Sequence, residues 1–88
     1  MTQSEIDRVL RRASIGTIVS VSYSRHGLQY EGRVQSRTLT SDGRPAEVCF
    51  EDGTYLARIL VEEQPGDGGG WCISSGGFWR VSEVAILD

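Results

Sequence analysis

The sequence predicts a compact all-β fold, a small five-stranded barrel preceded by a short N-terminal helix. Three observations carry this. From Thr17 onward apolar residues recur at every second position, the signature of half-buried strands. Glycine-bearing turn signals divide the chain at intervals of about 8 to 12 residues, as in small barrels and sandwiches. The length of 88 residues is enough for one domain with a modest core and too small for a large cleft.

Each element has its own signal. Thr2 with Glu5 fits a capping box, Ser4 offers a second cap, and Ile6, Val9, Leu10 and Ala13 share one helical face. Arg8, Arg11 and Arg12 lie opposite, and the last two favour the negative end of the helix. The spacing predicts a helix within residues 1–15 that packs on a barrel formed by 16–88. In "TIVSVSY" Val19 and Val21 alternate with serines and Tyr23 continues their parity. "SRHG" is a turn in which Gly27 can take a positive φ, and "LQYEGRVQSR" returns with Tyr30, Gly32 and Val34 on one face and Glu31, Arg33, Gln35 and Arg37 on the other. "TSDGRP", "AEVCF", "EDG" and "TYLARILVEE" read as turn, strand, turn and strand. A flexible loop is expected near 62–70, in "PGDGGG" above all. Beyond it "WCIS" and "FWRV" can pair across "SGG", and "SEVAILD" suggests a turn and a last short strand. Gly32 in mid-strand suits the sharp bend of an SH3-like barrel, although an OB-like barrel or a small sandwich shares the periodicity.

Composition narrows the function classes. Hydrophobic residues at 39% and charged ones at 24% describe a globular chain. No apolar run is long enough to cross a bilayer and no signal-peptide pattern opens the chain, so an intracellular protein without a membrane partner is expected. Cys49 and Cys72 lack metal-ligand spacing and are expected as reduced, half-buried thiols, with no metal and no cofactor. All nine basic residues are arginine, and the net charge of −3 is unevenly spread. Residues 1–44 carry a net +3 and residues 45–70 a net −5, which suits a basic partner better than phosphate. An enzyme is not expected: His26 stands in a turn without a nucleophile or acid around it, Glu62 and Glu63 face opposite sides of a strand, and "PGDGGG" lacks the lysine and helix of a phosphate loop.

The stretch "VSVSYSRHGLQYEGRV" resembles the first hairpin of a Tudor domain, and "VCFEDG" resembles that family's third strand. The two matches stand in the family's order and cover residues 16–61. The resemblance implies a Tudor-like barrel of the SH3-like class and a non-enzymatic module that reads methylated lysine or arginine in a basic peptide such as a histone tail. It also implies a nuclear chromatin protein, part of a larger complex. The methyl-ligand positions it implies are Tyr23, Tyr30, Phe50 and Asp52. A methylated ammonium keeps its charge but loses donors and water, so it suits ring faces, each contact worth about 0.5 to 2 kcal/mol. Where the family often has a further aromatic, this chain has Thr54, with Tyr55 next to it. Trp71, Phe78 and Trp79 are candidates to complete a cage or its rim, with directions that the sequence leaves open. Two other classes compete. One is a nucleic-acid-binding barrel using Arg25, Arg33, Arg37 and Arg44. The other is a scaffold module docking a larger complex through Trp71, Phe78 and Trp79.

Overall fold

The computed structural model describes residues 1–23, 27–59 and 70–87. One helix, α1 (Gln3–Arg11), precedes six strands: β1 (Ile18–Tyr23), β2 (Leu28–Leu39), β3 (Pro45–Phe50), β4 (Tyr55–Ile59), β5 (Gly70–Ser74) and β6 (Phe78–Leu87). The strands are antiparallel and close in chain order into a barrel, β6 pairing back onto β1. The all-β class, the small barrel and the short helix are as the sequence predicts, with one strand more than five. Phe78–Leu87 is a single continuous strand in place of a strand, a turn and a second short strand. Tyr23 pairs with Val81 and Ser22 with Glu83, so Ser82 is a bulge, and its hydroxyl donates to the Ser22 carbonyl at 3.0 Å.

The helix forms where its cap requires. Glu5 N–H donates to Thr2 Oγ1 at 3.2 Å and Thr2 N–H to Glu5 Oε1 at 3.0 Å, the reciprocal pair of a capping box. Ile6, Leu10 and, just past the helix, Ala13 are fully buried. Val19, Val21, Val34 and Val48 all point inward, as their parity predicts. The expected loop near 62–70 lies outside the described residues except for Gly70, which opens β5, and so do Arg25 and His26.

A second bulge changes one expectation. Val34 pairs with Phe50 and Ser36 with Cys49, leaving Gln35 as the extra residue. Because a strand's side chains alternate, Gln35 reverses the parity of the rest of β2. Arg37 therefore pairs with the buried Val48 and does not share the wet face of Arg33. Its Nη1 donates to the carbonyls of Arg11 at 2.8 Å and Ala13 at 3.4 Å, where α1 ends.

Consecutive antiparallel strands put the end of β1, the start of β2 and the turns at 51–54 and 75–77 at one end of the barrel, its mouth. Gly27 (φ 67°) and Gly53 (φ 90°) supply the left-handed backbone needed just before β2 and in the turn at 51–54. The helix packs on β3, β5 and β6 and closes the other end, the foot.

Candidate functional site

Cross-strand partners in a sheet share a face, so the register fixes which side chains meet at the mouth. Tyr23, Tyr30 and Phe50 carry the inward parity of Val21 and Val34. Trp79 pairs with the fully buried Ile73 and therefore belongs to the same inner face. The order around the wall is Trp79 on β6, Tyr23 on β1, Tyr30 on β2 and Phe50 on β3.

Tyr30 and Asp52 form the polar centre. The Tyr30 hydroxyl donates to Asp52 Oδ1 at 2.8 Å, and the same oxygen accepts the Thr54 N–H at 2.9 Å. These two donors, the backbone N–H first, hold the Asp52 carboxyl below its ordinary value. Burial first, then the hydrogen bond to Asp52, pushes the Tyr30 phenol up to about 12, so it remains a neutral donor at physiological pH. The Tyr30 ring lies 5.1 Å from that of Phe50 at an interplanar angle of 58°. It also lies across Gly32: a Cβ at that position would stand 2.4 Å from the hydroxyl oxygen and 2.7 Å from Cε1. The mid-strand glycine, read from the sequence as a bend, is the seat of this ring.

The expected ligand set divides. Tyr30, Phe50 and Asp52 come together, but Phe50 is fully buried and Tyr23, 7% exposed, turns its hydroxyl to Ser75 Oγ at 3.2 Å. In this conformation neither ring offers a free face, because each fills the barrel just below the mouth. The aromatic surface that reaches solvent on the inner side belongs to half-buried Tyr30 and to Trp79, 44% exposed, whose Nε1 donates to the Ser75 carbonyl at 3.0 Å. Thr54 stands beside Asp52, half-buried.

Tyr55 and Phe78 are placed elsewhere. Tyr55 pairs with Cys49 on the outer face and meets Phe78 edge to face at 6.0 Å. Phe78, 60% exposed, therefore cannot wall the inner cage. Trp71 is excluded more strongly. It is fully buried at the foot, its backbone N–H donating to Gln3 Oε1 at 2.8 Å and its indole N–H to Asp7 Oδ1. Ser75 and the exposed rim residue Leu28, the partner of Tyr23, were not singled out by sequence, since serine in a turn and leucine in a strand carry no distinctive signal.

The arginines of the nucleic-acid reading are mostly engaged. Arg33 donates to the Gly16 carbonyl at 3.1 Å and faces Glu51 at 4.0 Å, Arg37 holds the helix end, and Arg44 pairs with Asp42 at 2.9 Å. Cys49 and Cys72 are free, half-buried thiols. A hydrogen bond to Glu47 and burial push the Cys49 thiol up, and burial does the same for Cys72. Among the described residues no group of three or more His, Cys, Asp or Glu side chains is placed to hold a metal ion. No family model, curated protein or solved structure matches the chain.

Proposed function

We propose that the chain is a non-enzymatic binding module that takes a cationic side chain of a basic peptide at the barrel mouth, with methylated lysine or arginine of a histone tail as its ligand class. Tyr30, Trp79 and Asp52 make the contacts, while Tyr23 and Phe50 support them from below. The observation that carries this reading is the Tyr30–Asp52 pair, an aromatic ring and a carboxylate joined at 2.8 Å on a mouth that also exposes an indole. Ring faces attract a methylammonium through their quadrupole, and a carboxylate beside them accepts from any N–H that methylation leaves. A histone ligand would place the protein in the nucleus and in a larger assembly.

The test is a titration of the folded chain with methylated peptides and their unmodified twins, followed by amide shifts. The reading expects resonances of Tyr30, Asp52 and Trp79 to move more with the methylated member of a pair. Equal responses to both members would remove it. The second reading, a scaffold module, draws support from the outer pair of half-buried Tyr55 and exposed Phe78. It expects shifts on the outer face of β4 and β6, with the mouth unmoved.

A further inference from the structure

The foot of the barrel carries a charge arrangement that the mouth does not use. Arg8, Arg11 and Arg12 are exposed on the face of α1 turned away from Ile6 and Leu10. Among the described residues none of the three enters an ion pair. Glu5 shares this face; Thr2 holds its carboxylate in the capping box, where it offsets part of the charge of Arg8 and leaves Arg11 and Arg12 without a carboxylate partner among the described residues. Arg37 and Arg33 are fastened beside them, on the carbonyls of Arg11, Ala13 and Gly16. Five of the nine arginines thus gather around one short segment of a chain whose net charge is −3, and the rest of the chain is far more acidic than that figure suggests. Directly after them Ile15 stands 69% exposed.

We infer that this face of α1, with Ile15, docks an acidic polypeptide segment of a partner protein that carries apolar side chains among its carboxylates. Charge complementarity requires an anionic partner, and two features select a peptide over a polyphosphate. At 1.5 Å per residue the nine residues of α1 span about 14 Å. Nucleic acid long enough to gain several phosphate contacts would run past the helix, on a chain whose net charge is −3. A short acidic segment fits within the patch, and its apolar residues can cover Ile15, to which a phosphate backbone offers nothing. The site uses none of Tyr30, Asp52 and Trp79, and it stands whether or not the mouth binds a cation.

The test uses the full chain and a fluorescent Glu/Leu-rich peptide, with a Lys/Leu-rich counterpart, a single-stranded oligonucleotide and phosphatidylserine vesicles in parallel. The acidic peptide is expected to bind, more weakly as salt rises. The double variant R8E/R12E should weaken it at least about tenfold, the effect of losing two exposed ion pairs and adding two repulsions. Ile15→Ser should weaken it without changing its salt dependence. Unchanged mouth resonances show that each variant is folded, and R8Q/R12Q replaces the charge reversal if that variant unfolds. The inference is overturned if the acidic peptide fails to bind, if binding survives loss of both arginines, or if the oligonucleotide or vesicles bind more tightly than the peptide. Self-association that the same substitutions abolish would also overturn it, since the occupant would then be a second copy.

Discussion

At Tyr30 one side chain depends on the absence of another. Its ring occupies the space over Gly32, so Gly32→Ala should overpack the site and cost about 1 to 3 kcal/mol, read from the urea midpoint. The ring must also leave its seat, and the amide shifts of Asp52 should move with it. An unchanged midpoint together with unmoved Asp52 shifts would mean that the ring does not rest there. Ionisation gives a second check. Asp52 is held below its ordinary 3.8, so its contribution to stability is present above that value and is lost as pH falls through the lowered one. Tyr30 runs the other way: raised from 10.0 to about 12, its contribution is complete below pH 10.0 and is lost as pH rises toward 12. Tyr30→Phe should let the Asp52 carboxyl titrate nearer to its ordinary value while the Thr54 N–H still holds it lower, and carboxyl chemical shifts against pH will show it. Parity placed Tyr30 and Tyr23 on the inner face and the resemblance named Asp52, but the hydrogen bond between Tyr30 and Asp52 was not legible. Nor was the closure that buries Phe50 and Tyr23 in place of leaving them as open walls, because it depends on how the whole barrel packs over them.

The helix is joined to the barrel by more than its apolar face. Asp7 accepts the indole N–H of Trp71 through Oδ1 and pairs with Arg58 through Oδ2 at 3.1 Å. Both partners lie on neighbouring strands, Arg58 opposite Trp71. Removing the carboxylate strands a buried N–H and a poorly solvated guanidinium together. Asp7→Ala should therefore cost about 3 kcal/mol. Thr2→Ala, which removes only a surface cap, should cost about 1 kcal/mol. Thermal or denaturant unfolding that ranks the two substitutions in the reverse order would show that the clamp contributes less than the cap. The cap was readable from Thr2 and Glu5 alone. The clamp was not, since Asp7, Arg58 and Trp71 lie far apart in sequence and meet only through the β4–β5 register. Bulges explain the remaining misreadings of strands: Ser82–Glu83 breaks the alternation as a turn would, and nothing in "RVQSR" marks Gln35 as the extra residue that turns Arg37 inward.

Over the whole molecule the two barrel ends differ, one left polar and aromatic, the other sealed by a helix. The overall fold was legible because strand alternation and glycine turns recur along the chain. The roles of Trp71, Phe78 and Trp79 depend on closure: a single register assigns them to the foot, the outer face and the mouth. The same closure makes the helix part of the core. Ile6 and Leu10 are fully buried and Ala13 with them, and full burial of an isoleucine or leucine is worth about 1.5 to 3 kcal/mol. Deleting residues 1–13 removes about 3 to 6 kcal/mol on that count and takes away Gln3 and Asp7, the partners of Trp71. A small domain has about 5 to 15 kcal/mol in total. The truncated chain should therefore lose its cooperative thermal transition, with Trp71 fluorescence shifted toward that of a solvated indole and the foot exposed to aggregation. If the shortened chain instead melts cooperatively within a few degrees of the full one, α1 is an appendage and the barrel closes its foot without it.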